Sequence, residues 1–329
     1  MKVAIVQRPP VLLDREATLA AAVSHLHEAA DQEARLVVFP ETHIPGYPVW
    51  IWRLQPEADY QLSARIHGAL IENSIDLWSD DLRPMREAAA QRKVTVVCGI
   101  HERDGEFSRS TIYNTLVTIA PDGAILNRHR KLMPTNPERM VWGQGDASGL
   151  RVVQTPEARL GGLICWENYM PLARYALYAE GIEVYVASTW DSGEIWISTM
   201  RHIAAEGRCW VIGSGCALRA SDIPADFPGR EQLFPVPGEV LNPGDSVIVS
   251  PGGEIIAGPL HDECGLLVAD IEPSRAAAAH RTLDVAGHYG RSDIFRLTVD
   301  RTQHDPVVYT DGIAQRELPP GDAAPAPTG

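Results

Sequence analysis

Cysteine is scarce in this chain: five among 329 residues, at positions 98, 165, 209, 216 and 264. No two form a C-x-x-C pair, and the count is odd. That disfavours both a disulfide framework and a thiolate metal cluster. Long apolar runs are missing too. No stretch reaches 18 residues, so no transmembrane span is expected. Basic residues are in deficit, 29 against 43 acidic, for a formal net charge of -14. This disfavours a general nucleic-acid surface or an anionic membrane as partner. The N-terminus, "MKVAIVQRPP", lacks the long apolar core and cleavage pattern of a signal peptide, and a cytoplasmic protein is expected. Eleven histidines form no H-E-x-x-H motif. Gly161 and Gly162 do not make a G-x-G-x-x-G fingerprint, so a dinucleotide-binding unit is disfavoured.

What is present is a rich set of apolar segments, with 45% apolar residues overall. Residues 3–7 read as a strand and 15–35 as a helix. "RLVVFPE" is a short strand ending at Glu41. A helix over 82–93 leads to a strand at 94–100. "TIYNTLVTIAPDGAIL" holds two strands around a Pro-Asp-Gly turn. Another strand runs from Leu160 to Ile164. In the helix that follows, Pro171 fits an early position, Leu172, Tyr175, Ala176 and Ala179 can share a face, and Gly181 fits the stop. "EVYVAST" is a strand, 195–207 a helix and 209–215 a strand. "DSVIVSPGGEIIAG" is a second strand–turn–strand unit, and 264–271 completes the set. Helices alternate with strands, yet two hairpins interrupt the alternation. A layered α/β fold with mixed sheets follows. No linker is evident before 300. Residues 1–300 read as one domain and 301–329 as an extension, with a mobile Pro/Ala/Gly-rich tail from about 311.

Three stretches share one logic. Glu41 lies just past an apolar strand, Lys131 in a loop after a hairpin, and Cys165 just past another strand. A carboxylate, an ammonium and a thiol could converge at one edge of the sheets. A thiol deprotonated by Glu41 is a strong nucleophile, and Lys131 could offset the charge that develops when an unsaturated carbon is attacked. Each residue alone also has a plain explanation. Cys165 could be an inert buried thiol, Glu41 a cap or surface residue, and Lys131 part of a solvated basic cluster, Arg128 to Lys131.

At these residues the chain resembles the nitrilase superfamily of carbon-nitrogen hydrolases, and within it the nitrilase branch. Its Glu–Lys–Cys triad matches Glu41 in "FPE", Lys131 in "HRKLMPT" and Cys165 in "CWENYMPLAR". A further family glutamate, which orients the lysine and substrate, matches Glu138 in "PTNPERMVWGQGD". "ASTWDSGEIW" and "GHYGRSDIF" extend the likeness, which runs from about residue 2 to 300. Three departures stand out: Ser292 where members often have proline, Ala147 where they often have glycine, and Ala187-Ser188-Thr189 where they often have Ala-Pro-Thr. None removes a triad member.

The resemblance implies an αββα sandwich that pairs as αββααββα in a dimer, often extended into spirals. It implies hydrolysis of an organic nitrile, aliphatic or arylaliphatic, to the acid and ammonia through a cysteine thioimidate and thioester. No metal or organic cofactor is implied. The expected partners are the small nitrile and further copies of the chain. Trp166, Trp190 and Tyr47 are expected at the substrate pocket, with Trp50, Trp52 and Trp196 open to a packing role instead. His129 and His288 are set aside as bases because the matching triad uses glutamate. Alternatives are an amidase with the same triad, a cyanide-hydrolysing enzyme, and a non-enzymatic filament-forming scaffold.

Overall fold

The computed structural model describes residues 1–55, 57–303 and 305–307; the tail expected from about 311 lies outside them. In order, the elements are β1 (Lys2–Gln7), α1 (Arg15–Asp31), β2 (Ala34–Val38), α2 (Tyr60–Asn73), α3 (Arg83–Arg92), β3 (Thr95–Arg103), β4 (Ile112–Ile119) and β5 (Ile125–Arg130). The second half contributes β6 (Val153–Gln154), β7 (Arg159–Ile164), α4 (Pro171–Ala179), β8 (Val184–Ser188), α5 (Glu194–Gly207), β9 (Trp210–Ser214) and β10 (Ala217–Arg219). It closes with α6 (Arg230–Leu233), β11 (Val240–Val249), β12 (Ile255–His261), β13 (Gly265–Asp270) and α7 (Ser274–His280).

Strand periodicity explains the layers. Successive side chains of a strand point to opposite faces. Val3 and Ile5 of β1, Leu36 and Val38 of β2, and Val97 of β3 turn to one face. There they meet Leu160, Ile164, Val184, Val186, Trp210 and Ile212 of the second sheet. The residues between them turn outward. Ala4, Val6, Val37, Val96 and Cys98 pack under α1 and α3. Leu163, Tyr185, Ala187 and Val211 pack under α4 and α5. The product is the αββα sandwich. Each fully buried Val, Leu or Ile in its central layer contributes about 1.5–3 kcal/mol.

The first sheet runs β13-β1-β2-β3-β4-β5, and the second β10-β11-β9-β8-β7-β6 with β12 paired to β11. β1, β2 and β3 are parallel, as are β7, β8 and β9, and hairpins widen each sheet. β13 returns from the far end of the chain to pair antiparallel with β1. Parallel strands put their C-terminal ends at one edge, where α/β folds build their sites. β2, leading to Glu41, and β7, leading to Cys165, both end there.

Two expectations change. The helix expected over 15–35 stops at Asp31, because Glu33 adopts a left-handed φ of 67° and turns the chain into β2. The face expected for α4 is different. Ala173, Ala176 and Leu177 enter the core, whereas Leu172 is 66% exposed. Gly181, with φ of 68°, does end that helix region. The helix α2 carries no strong sequence signal; it packs Ile66 and Leu70 with Tyr47, Trp50 and Phe227 in a separate cluster beside the site.

Candidate active site

Each acid, base and nucleophile candidate leaves a strand end and is then locked by backbone contacts. Glu41 follows β2. Phe39 N–H donates to Val97 O at 2.8 Å and Ile44 N–H to Gly99 O at 3.3 Å, clipping its loop onto β3. The approach is close: a Cβ on Gly99 would lie 2.3 Å from Pro40 O. Lys131 follows β5, its N–H donating to Asn114 O at 2.7 Å. Glu138 sits in a 3₁₀ turn, Asn136–Met140, and its Oε2 accepts from Thr135 N–H at 2.6 Å. Cys165 opens a second 3₁₀ turn, Cys165–Tyr169, between β7 and α4.

Cys165 adopts φ of 51°, a left-handed conformation that costs a non-glycine residue on the order of 1–3 kcal/mol. The turn holds it there. Asn168 Nδ2 donates to Cys165 O at 2.7 Å, and Asn168 Oδ1 accepts from the Tyr185 hydroxyl at 2.7 Å. Ile164 N–H donates to the Glu167 carboxylate at 2.7 Å.

The triad candidates and Glu138 come together. Lys131 Nζ donates to Glu41 Oε1 and to Glu138 Oε2, each at 2.8 Å, and all three side chains are buried. Glu41 Oε1 also accepts from Asn114 Nδ2 at 2.7 Å, and its Oε2 from Trp190 N–H at 2.7 Å. Glu138 Oε1 accepts from the Tyr47 hydroxyl at 2.8 Å, which itself accepts from Trp52 Nε1 at 3.1 Å. Two carboxylates thus face one ammonium, a buried group with net charge of one sign.

The electrostatics follow from that geometry. Burial pushes the Glu41 carboxyl above its usual range, and Glu138 adds to the push while Lys131 opposes it. Burial alone would lower the Lys131 ammonium, but Glu41, Cys165 and Glu138 outweigh it and hold it well above the usual lysine range. Burial also raises the Cys165 thiol, with Glu41 adding to the effect and Lys131 countering it. Burial and Glu41 thus favour the protonated form of Cys165, and a base whose own affinity for protons is raised stands nearby.

A cavity of about 360 Å³ opens onto this group. Cys165 and Glu138 line it; Glu41 is tied to it through Trp190 and Lys131 through Glu138. Its walls include Tyr47, Trp52, Trp166 and Trp190, apolar Val240 and Leu241, and polar Asp191 and Asn242. Tyr47 and Trp190 stack with ring centres 4.3 Å apart and planes 2° from parallel. Asn242 Nδ2 holds the Trp190 carbonyl. All three residues expected at the pocket, Tyr47, Trp166 and Trp190, line it.

Several readings are corrected. Trp52, left open between the pocket and a packing role, is 49% exposed and lines the cavity. Trp50 and Trp196 are core residues. The stretch from Arg128 to Lys131 is not a solvated cluster. Lys131 and His129 are buried, and Arg128 and Arg130 pair with buried Glu102. His129 faces Glu167 at 3.0 Å, away from the cavity lining. His288 is exposed beside Tyr289. Asn114, Glu167 and Asn242 were missed by sequence reasoning. For Glu167 a signal existed: an acid two positions past the cysteine in an apolar context. Asn114 sits mid-strand in β4 and gives no such signal. Among the described residues, no group of three or more His, Cys, Asp or Glu is placed to hold a metal ion.

Comparison with known proteins identifies the family. The carbon-nitrogen hydrolase family pattern matches residues 2–281. The chain is 39% identical to an aliphatic nitrilase of Sinorhizobium fredii over 313 residues, covering 93% of this chain and 98% of that one. It is 37% identical to a bifunctional nitrilase/nitrile hydratase of Lupinus angustifolius, covering 96% and 91%. In three dimensions it resembles a carbon-nitrogen hydrolase from Helicobacter pylori, with a TM-score of 0.68 at 19% identity, covering 90% of this chain and 96% of that one. With a matching sequence pattern over most of its length and full-length relatives well above 30% identity, the chain belongs to the carbon-nitrogen hydrolase family.

Proposed function

We propose that this protein is a nitrilase that converts an organic nitrile, aliphatic or arylaliphatic, to the carboxylic acid: R–C≡N + 2 H2O → R–COOH + NH3. One observation carries the reading. A thiol and a buried Glu–Lys–Glu cluster meet at one aromatic-walled cavity, which Cys165 and Glu138 both line. The nitrilase relatives support it.

Cys165 is the nucleophile. As its sulfur bonds to the nitrile carbon, one C–N π bond breaks, Glu41 takes the thiol proton, and the nitrogen is protonated to give a thioimidate. The main-chain N–H of Trp166 and the Lys131 ammonium stabilise the developing charge. Water adds to the thioimidate carbon, giving a tetrahedral species with O, N and S substituents. Protonated nitrogen leaves as ammonia, and a thioester remains. A second water, deprotonated by Glu41, attacks the thioester, and the C–S bond breaks to release the acid and restore the thiol. Glu138 holds Lys131, and Tyr47 holds Glu138. The chemistry draws on no metal or organic cofactor.

Pocket size separates the substrates. A cavity of about 360 Å³ lined by four aromatic rings is far larger than hydrogen cyanide requires, which favours a nitrile with an apolar R group. Loss of the thiol instead of ammonia from the tetrahedral species would yield the amide. The relative from Lupinus, described as a bifunctional nitrilase/nitrile hydratase, makes that side product the second outcome to measure. Ammonia, acid and amide release should be assayed across aliphatic and arylaliphatic nitriles, their amides and free cyanide. Organic nitriles should be turned over fastest. Faster turnover of the matching amide or of cyanide would overturn the assignment.

The catalytic unit in this reading is residues 1–300, with 301–329 as an extension, and the setting is the cytoplasm. No helix of the described residues is long and apolar enough to cross a membrane. The protein works as a homo-oligomer. Trp166, Tyr169, Met170, Leu172 and Ile195 are exposed around α4 and α5, an apolar face of the kind that copies of a chain bury together. Light scattering at micromolar concentration tests this, and a monomer would refute it.

A further inference from the structure

The lysine and the cysteine come from different sheets, so something must fix the distance between them across the sandwich. Lys131 follows β5 of the first sheet, and Cys165 follows β7 of the second. One buried carboxylate touches both segments. Glu167 Oε1 accepts from Leu132 N–H at 2.6 Å, one residue past the lysine. Glu167 Oε2 accepts from Ile164 N–H at 2.7 Å, one residue before the cysteine. Behind it, His129 Nε2 lies 3.0 Å from Oε2 and 3.2 Å from Oε1. The side chains of Glu167 and His129 are 0% and 1% exposed. Neither lines the cavity.

We propose that Glu167, backed by His129, is a positioning residue: its carboxylate clamps the lysine loop to the nucleophile turn and so sets the Lys131–Cys165 geometry. The inference rests on the nitrilase reading only for its turnover assay. Two charge-assisted backbone bonds from one rigid group tie together two loops that share no strand. A carboxylate is needed for this. It offers an acceptor oxygen to each N–H, whereas an amide offers one oxygen and turns its NH2 toward the other N–H. Glu167→Gln therefore keeps the volume and releases one of the two segments. A reacting group displaced by about 1 Å costs about 10²-fold in rate.

The test uses the full-length protein. Glu167→Gln is compared with the parent for kcat and KM on a nitrile, for folded fraction by circular dichroism, and for the iodoacetamide alkylation rate of Cys165 read on its peptide by mass spectrometry. The clamp predicts a kcat lower by about 10²-fold, KM within about threefold, and Cys165 alkylation slowed by about tenfold in folded protein. His129→Ala should lose about tenfold in kcat, and His129→Gln, which restores a donor, should recover most of it. The double variant Glu167→Gln/His129→Ala should be no worse than Glu167→Gln, as members of one unit are not additive. A folded Glu167→Gln with parental kcat and alkylation overturns the proposal. So does a loss that merely tracks the unfolded fraction. If Glu167→Gln does not fold, the His129 pair decides, and parental kcat and alkylation in His129→Ala overturn the clamp. If the parent turns over no nitrile, the functional reading fails while the alkylation rates still test the clamp.

Discussion

Lys131→Met removes the one cation between two buried carboxylates and nearly keeps the side-chain volume. In the parent, Lys131 Nζ lies 2.8 Å from an oxygen of Glu41 and 2.8 Å from one of Glu138, with all three side chains out of water. Taking one partner from a buried pair leaves an uncompensated charge and costs about 3–5 kcal/mol. Here two like charges are left facing each other, so the upper part of that range applies. At about 2 °C per kcal/mol, about 4–5 kcal/mol should lower Tm by about 8–10 °C. The loss should depend on pH. Burial and Glu138 already raise the Glu41 carboxyl in the folded protein, and without the ammonium that rise must grow. A carboxyl raised by folding binds its proton more tightly in the folded state than in the unfolded state. Folding stability then declines as pH rises from the unfolded value of the carboxyl through its folded value. The Tm gap between variant and parent should therefore be wide at pH 8 and narrow toward pH 5. Turnover should drop by about 10²–10³-fold at least, the scale for losing one preorganised stabiliser of transition-state charge. Differential scanning calorimetry across pH 5–8, with ammonia release on the same samples, measures both. A Tm gap that stays constant over that range would refute the charge balance drawn for the cluster.

Other substitutions divide the roles. Glu41→Gln keeps its acceptor toward Asn114 and Lys131 but accepts no proton, so kcat should fall by about 10²–10⁴-fold in folded protein; near-parental steady-state turnover would remove Glu41 as base. Glu138→Gln leaves Lys131 paired with Glu41, so its stability loss should be smaller than that of Lys131→Met, and activity should be severely reduced but less completely than in Cys165→Ala. Calorimetry and ammonia release rank the three. Tyr47→Phe deletes a 2.8 Å donor to Glu138 while keeping the stack on Trp190. The lost bond to a charged acceptor, about 1.5–3 kcal/mol, should appear as about a tenfold or greater fall in kcat with KM little changed; an effect on KM alone would make Tyr47 a wall residue only.

What the sequence made legible follows from where the information sits. The strand cores were readable because residues such as Val3 to Val6 are apolar on both faces, as a strand buried between helices and a second sheet must be. The helix start at Pro171 and stop near Gly181 were readable from local stereochemistry. The buried face of α4 was not. Leu172 is exposed and Arg174 buried because Arg174 finds Glu206 at 3.1 Å and Asn168 O at 2.7 Å, partners that only the fold supplies. The same holds at the site. Glu41, Lys131, Glu138 and Cys165 stood out through the strings around them, and the structure brings them together. Asn114 and Glu167 act through partners far away in the chain, Asn114 with Glu41 and Glu167 with Leu132. A local string can flag such a residue, as the acid two positions past the cysteine does at Glu167, but it does not name the distant partner.

In this mechanism Cys165 forms a covalent bond to the substrate carbon. Rapid acid quenching during nitrile turnover, followed by peptide mass spectrometry, reads that bond directly. An acyl or imidoyl adduct is expected on the Cys165 peptide, absent from Cys98, Cys209, Cys216 and Cys264. Folded Cys165→Ala should give neither adduct nor ammonia. An adduct at another residue, or ammonia release by folded Cys165→Ala near the parental rate, would contradict this mechanism.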